Sequence, residues 1–125
     1  MASLPKNVRQ AWEEREGPVI LATVSDTGVP NIAYVSRAEL LGDDMVVLAD
    51  RYFGKTRRNL MQGGTGALLF RDRQGKSYQI KGPVAYHQSG PVFDRVKGWT
   101  PAPTGTLHGA VALTIEEVYS GVVAE

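Results

Sequence analysis

Short runs of apolar residues recur along this chain and are separated by turns rich in glycine, proline and aspartate. The run at 19–24 is apolar on both alternating faces, which predicts a central strand. The run at 76–87 contains Gly82-Pro83, which predicts a bulge or bend because proline cannot donate to a β-ladder. Together the runs predict about six strands, at 19–24, 30–39, 45–49, 66–70, 76–87 and 111–115.

Shorter segments have helical spacing. The first follows Ser3, which we expect to cap a helix whose apolar residues repeat every three to four positions. The second begins at Gly54 and ends at Gly63-Gly64, because glycine takes the left-handed C-cap conformation without a Cβ clash. The third begins at Pro91, which suits an early helical position. We therefore predict two or three short helices among the strands.

The order of these segments favours an antiparallel sheet. Tight turns join the runs at 19–24, 30–39 and 45–49, which predicts an antiparallel meander. A dinucleotide-binding α/β fold is disfavoured, because strands and helices do not alternate and no Gly-x-Gly-x-x-Gly follows the first strand. We predict one mainly β domain over residues 1–125 that closes into a small barrel.

A basic segment follows the third predicted strand. From Arg51 to Gly64 the chain carries four basic residues and no acidic one. Lys55 and Thr56 fall in the first turn of the predicted helix, where unpaired backbone N–H groups and the helix dipole favour an anion. This chemistry suits a phosphate monoester. The alternative is a solvated basic helix face without a ligand.

Composition narrows the class of protein. The net charge of +1 gives no general basic surface for nucleic acid. The absence of cysteine excludes disulfides, thiolate chemistry and the commonest structural zinc ligands. His87 and His108 are too few for a histidine-built metal site. With no signal peptide and no apolar run near the ~20 residues that span a bilayer, we expect a cytoplasmic protein without a membrane partner.

Several motifs in order carry a family resemblance. They are RYFGKTRRNL at 51–60, YQIKGPVAY at 78–86, GPVFDRVK at 90–97 and ALTIEEVY at 112–119. This set resembles the pyridoxamine 5′-phosphate oxidase-like FMN-binding split-barrel family, most of all its short bacterial FMN-binding proteins, over about residues 17–120. The resemblance implies a six-stranded antiparallel split β-barrel that forms a homodimer, with FMN as the cofactor.

The resemblance also implies contacts for individual residues. Lys55 would contact the FMN phosphate, with the hydroxyl of Thr56 beside it and Arg51 as a second phosphate partner. Other residues would lie along the isoalloxazine ring and the ribityl chain. These are Tyr34, Val35, Ser36, Arg37, Ala49, Asp50 and Gln79.

Trp99 and the loop at 100–108 that follows it are the groups left to cover the flavin. If the flavin lies in a groove between two protomers, Trp99 of one chain covers the ring held by Lys55 and Ser36 of the other. The alternative is that Trp99 only closes the apolar side of the third helix, and Tyr34 has a similar alternative as a core or dimer-interface aromatic.

The function implied is that of an FMN-binding oxidoreductase or electron carrier of unknown substrate. No acid–base pair stands out, so the redox chemistry would belong to the flavin. Authentic pyridoxamine phosphate oxidases end in a substrate-binding segment that this chain lacks after Tyr119, so vitamin B6 oxidation is not expected. The alternative is a non-catalytic module, or one that binds F420 or haem, on the same dimeric barrel.

Overall fold

The computed structural model describes residues 3–99, 106–121 and 123–125, and this part of the chain is mainly β. Three helices are α1 (Lys6–Glu13), α2 (Lys55–Met61) and α3 (Pro91–Lys97). The strands are β1 (Val19–Val24), β2 (Pro30–Val35), β3 (Ala38–Leu41), β4 (Met45–Asp50), β5 (Thr65–Arg71), β6 (Ser77–His87), β7 (Gly109–Thr114), β8 (Glu117–Ser120) and β9 (Val123–Ala124). None of the helices in the described ranges is long and apolar enough to cross a membrane.

The strands form one curled antiparallel sheet, which confirms the predicted mainly β fold. Its strand order is β2-β1-β5-β6-β7-β4-β3, with β8 paired to β6 and β9 paired to β8. There are more strands than the six expected. The run at 30–39 divides into β2 and β3 at Ser36-Arg37, and the tail after β7 adds β8 and β9.

The predicted meander of the first three strands is right in its two hairpins and wrong in its continuous middle strand. β1 and β2 form one antiparallel hairpin and β3 and β4 form another, as the tight turns predict. The run at 30–39 breaks at Ser36-Arg37, so its two halves, β2 and β3, lie at opposite ends of the strand order. β5 takes the second edge of β1, and β7 takes the second edge of β4. The prediction that β1 is central is confirmed, because it has a partner on each side.

β6 bends at the position that Gly82-Pro83 predicts. It pairs with β8 over residues 78–81 and with β7 over residues 84–87, so it belongs to both halves of the half-barrel. The chain passes from β7 to β8 directly over this point. A Cβ atom at Gly82 would lie 1.6 Å from the carbonyl oxygen of Thr114, so only glycine fits there.

The main core lies inside the curled sheet and is closed by α1. Leu21, Leu48 and Ile80 are fully buried in it. Trp12 of α1 packs edge-on against Phe70 at 5.1 Å between ring centres, so it is a packing residue of the main core. The capping role expected of Ser3 is wrong. Pro5 precedes the first helical turn without a side-chain cap, and the backbone bond from Leu4 N–H to the Asp43 carbonyl (2.9 Å) holds the entry instead.

A smaller apolar cluster packs α3 against β4 and β7. Its buried members are Val47, Ala49, Val96, Trp99 and Ala110. Gly90 precedes α3 and Pro91 begins it, as the sequence predicts. This cluster places Trp99 beside the end of β4, which is also where the basic segment begins.

Candidate functional site

The last residue of β4, Asp50, is fully buried in a polar network of its own chain. Its carboxylate accepts two hydrogen bonds from Arg57, at 2.6 Å from Nε and 3.1 Å from Nη2. It also accepts the Phe53 backbone N–H at 3.0 Å and the hydroxyl of Tyr86. The Asp50 side chain is therefore engaged internally, and only the backbone of this predicted flavin neighbour is left to meet a ligand.

This network fixes the loop that leads from β4 to α2. The hydrogen bond to Asp50 raises the pKa of Arg57, while burial, and then the bond to Asp50, raises the pKa of Tyr86. The strand β7 passes close to Tyr86, because a Cβ atom at Gly109 would lie 2.5 Å from the Tyr86 hydroxyl oxygen. The described residues contain no group of histidine, aspartate and glutamate side chains able to hold a metal ion.

A groove of about 410 Å³ lies between α2 and the β1–β2 turn. Lys55 is exposed there at the start of α2, one residue after Gly54, as the sequence predicts. The lining consists of turn residues, the start of β2 and one side of α2: Ser25, Asp26, Thr27, Val29, Pro30, Asn31, Lys55, Arg58, Asn59 and Gln62. Two basic side chains and one acidic side chain give this groove an excess positive charge.

Thr56 and Asn59 point away from solvent and attach α2 to the sheet. The Thr56 hydroxyl is buried and accepts a 2.7 Å hydrogen bond from the Asn31 amide. The Asn59 amide donates to the Thr23 hydroxyl at 3.1 Å. Thr56 therefore positions Asn31 in the groove wall, and Asn31 is a groove residue that sequence reasoning missed. No local signal marks it, because the contact joins residues 25 positions apart.

Next to the groove, β2 and the residue after it present two of the predicted flavin contacts to solvent. The side chains of Tyr34 and Ser36 are exposed, and Tyr34 retains 74% of its accessible surface. Val35 lies between them with its side chain in the main core, so it can offer a ligand only its backbone. Tyr34 and Ile32 line a shallow apolar depression of about 250 Å³ with Ile20 and Ala33.

Arg37 connects a second group of the predicted contacts, which consists of Arg37, Ala49, Arg51 and Trp99. The Arg37 guanidinium carbon lies 5.2 Å from the centre of the Trp99 ring, and one Arg37 nitrogen is 3.9 Å from Glu39. Burial, and then the nearby charge of Arg37, lowers the pKa of Arg51. Trp99 packs within its own chain, and most of the loop after it, residues 100–105, lies outside the described residues.

Within a single chain, Gln79 lies apart from the other predicted flavin contacts. It is half-buried on the outer face of β6, in register with Leu69 on one side and Tyr119 on the other. Leu69 is in turn in register with Ile20, and Ile20 with Tyr34. Three strand spacings of ~4.8 Å therefore separate Gln79 from Tyr34, a distance of about 14 Å.

The sequence profile of the pyridoxamine 5′-phosphate oxidase family matches residues 4–120. The chain belongs to this family. Among its relatives is an uncharacterised protein of Methanocaldococcus jannaschii, 30% identical over 106 residues that cover 82% of this chain and 71% of that protein.

Solved structures of similar proteins have the same fold. HupZ from Group A Streptococcus superposes with a TM-score of 0.85 at 20% identity and covers 98% of each chain. An FMN-binding protein from Syntrophomonas wolfei subsp. wolfei superposes with a TM-score of 0.62 at 25% identity, over 89% of this chain and 81% of that one. The curled half-barrel described above is therefore the split-barrel fold of the pyridoxamine 5′-phosphate oxidase family.

Proposed function

We propose that this protein binds FMN and acts as an oxidoreductase or electron carrier. The observation that carries this proposal is the basic groove beside Lys55, which opens next to the exposed edge strand β2. A phosphate would lie in the groove, and the flavin ring would extend along Tyr34 and Ser36. The FMN-binding relative from Syntrophomonas wolfei, in the same family, supports this choice of ligand.

The groove residues fit a phosphate dianion by charge and by hydrogen-bond donors. Lys55 and Arg58 supply positive charge from two successive turns of α2. The Asn31 amide, held by Thr56, adds a neutral donor at a fixed position. Asp26 offsets part of the positive charge of the groove. We therefore expect the groove to bind an anion with modest affinity and not to retain it permanently. The Thr56 hydroxyl acts through Asn31 and is a positioning group on this proposal.

When FMN is bound, the flavin supplies the hydride or electron transfer. The residues of this chain bind the phosphate, orient the ring along β2 and exclude water from one of its faces. A ligand of another class, F420 or haem, or a purely structural role, is the competing proposal on the same fold.

We further propose that two copies form a homodimer with the flavin sites at the interface. The outer faces of β1, β2 and β5 form a continuous apolar surface, called here the outer patch. It consists of Ile20, Ala22, Val24, Ile32, Tyr34, Ala67 and Leu69. Ile32 and Tyr34 each retain more than 70% of their accessible surface in the single chain. A second copy placed across a two-fold axis would cover this patch and the flavin ring together.

The phosphate assignment predicts different effects on two flavins. Lys55→Ala should weaken FMN by about ten- to a hundredfold and riboflavin much less, because a charge-assisted hydrogen bond contributes roughly 1.5–3 kcal/mol and riboflavin has no phosphate. Thr56→Val should weaken FMN less, because it removes only the partner of Asn31. Fluorescence titration of each flavin into purified protein measures both affinities.

Lys6→Ala, on the exposed side of α1, is the matched control for loss of one positive charge. Equal weakening of FMN and riboflavin by Lys55→Ala would mean that Lys55 acts through folding. Mass spectrometry of any ligand released from the purified protein separates FMN from F420 and haem. A protein that carries no flavin and takes up none in titration would contradict the proposal.

A further inference from the structure

Three buried hydrogen-bond donors near the end of β4 have no partner within the described part of the chain. They are Nε and Nη2 of Arg51 and Nε1 of Trp99. The Oγ of Ser120, in β8, is the remaining buried polar atom of this kind among the described residues. A buried donor without an acceptor costs stability, and it costs more when the donor is charged. The concentration of such donors at Arg51 and Trp99 therefore requires an explanation.

None of the described residues supplies the missing acceptor. Asp50 is adjacent to Arg51 in the chain, but both of its oxygens are occupied by Arg57, Tyr86 and the Phe53 N–H. The charge of another cation, Arg37, acts on Arg51, and Arg37 already contacts the Trp99 ring. Within the described residues the result is a site with several donors and an excess of positive charge, and a group that brings acceptor oxygens would complete it.

The identity of the free Arg51 atoms indicates the shape of that group. Nε and Nη2 lie on one edge of the guanidinium and donate in parallel. Arg57 uses the same edge, Nε and Nη2, to hold the two carboxylate oxygens of Asp50. Two oxygens on one carbon or phosphorus atom match this fork. The free edge of Arg51 is therefore suited to a carboxylate or a phosphate.

We propose that Arg51 and the indole N–H of Trp99 form an oxyanion site for the carboxylate or phosphate of a second small-molecule ligand. It is separate from the Lys55 groove, because neither Arg51 nor Trp99 lines that groove. Arg37 contributes charge from its position over the Trp99 ring. The site goes beyond flavin binding and does not depend on it, and it assigns an anionic substrate or partner molecule to this end of β4.

Trp99 itself can report binding. The chain has two tryptophans, so Trp12→Phe leaves Trp99 as the sole source of tryptophan fluorescence. In this background we would titrate inorganic phosphate and, separately, acetate at constant ionic strength. We expect a saturable change in Trp99 fluorescence. Tighter binding of acetate would indicate a carboxylate ligand, and tighter binding of phosphate a phosphorylated one.

Matched variants separate this site from the flavin phosphate site. Arg51→Gln should weaken the anion by about tenfold or more, the loss expected for a charge-assisted hydrogen bond. Arg51→Lys keeps the charge but loses the fork, so its affinity should lie between wild type and Arg51→Gln. Lys55→Gln should leave the anion affinity read from Trp99 fluorescence unchanged, because Lys55 belongs to the separate groove. Because Nε and Nη2 of Arg51 have no hydrogen-bond partner among the described residues, these variants are expected to fold, and their melting temperatures check this.

Three results would overturn the proposal. The first is the absence of a saturable response to either anion. The second is a response that is lost in Lys55→Gln and retained in Arg51→Gln. The third is that Arg51→Gln weakens FMN far more than riboflavin, which would assign Arg51 to the FMN phosphate. This last result would leave the flavin proposal intact, so the two proposals can fail independently.

Discussion

At the scale of single residues, two arginines of one segment have opposite relations to their surroundings. Arg57 neutralises the buried carboxylate of Asp50 through a two-pronged contact, whereas Arg51 is partly buried beside a like charge. The first arrangement stabilises the fold, since removing one partner leaves an unpaired buried charge. The second costs stability, which is typical of a residue retained for binding.

This contrast predicts different effects of the same substitution. Arg57→Met should destabilise the protein by about 3–5 kcal/mol, the cost of breaking a buried ion pair. Arg51→Met should leave the free energy of unfolding within about 1 kcal/mol of wild type or raise it, because Nε and Nη2 of Arg51 bond to no group in the described part of the chain. Urea denaturation of both variants measures the difference. Comparable destabilisation by the two would contradict this account of Arg51.

Some residues of the candidate site could be predicted from the sequence. Lys55 was accessible to prediction because Gly54, the helix start and the basic charges are neighbours in the chain, and the structure places Lys55 exposed in the groove. Asn31 could not be predicted from the sequence, since its role depends on a contact with Thr56 across the fold. The internal engagement of Asp50 was equally hidden, because its partner Tyr86 lies 36 positions away.

At the scale of elements, β6 holds the two halves of the half-barrel together. Its bend was predictable, because Gly82-Pro83 interrupts an otherwise regular alternation. The order of the strands in the sheet could not be predicted from the sequence. Tight turns indicate which strands form hairpins, but they do not show that β5 and β7 take the outer edges of β1 and β4. The meander prediction failed only in its middle strand, which divides into β2 and β3 at Ser36-Arg37.

The bend of β6 at Gly82 leads to a prediction about the stability of the sheet. Gly82→Ala would place a Cβ atom 1.6 Å from the Thr114 carbonyl oxygen, an overlap that requires the crossing of β7 and β8 to shift. We expect a loss of about 4 kcal/mol or more, the range of severe backbone clashes. Gly98→Ala is the matched control, because its Cβ would make an ordinary 3.4 Å contact and its φ is −86°. Thermal unfolding of both variants tests the prediction, and a Gly82→Ala protein as stable as the control would refute it.

At the scale of the whole molecule, the outer patch and the position of Trp99 determine how two copies would share a flavin. Trp99 packs inside its own chain against Val96, so a role on the partner's ring requires the indole edge or the loop after it to reach across. The proposal of a dimer rests on the outer patch, which does not include Trp99.

Mixed dimers test the shared site. Lys55→Ala and Trp99→Ala protomers, each impaired in FMN binding alone, should regain one intact site per mixed dimer if the site is shared. Subunit exchange followed by FMN titration measures the recovery. No recovery would restrict Trp99 to packing within its own chain. Sedimentation that shows an FMN-bound monomer would contradict the shared-site arrangement entirely.

The edge strand β2 has a consequence for handling the protein. One of its edges has no strand partner among the described residues, and its sequence, Pro-Asn-Ile-Ala-Tyr-Val, contains no charge to deter pairing with a foreign strand. Pro30 hinders such pairing only at the first position of β2. On the proposed dimer, the second copy covers the outer face of β2 beside this edge, and we expect it to hinder pairing with a foreign strand. Dilution or a dissociating mutation is expected to yield insoluble material in place of a stable monomer.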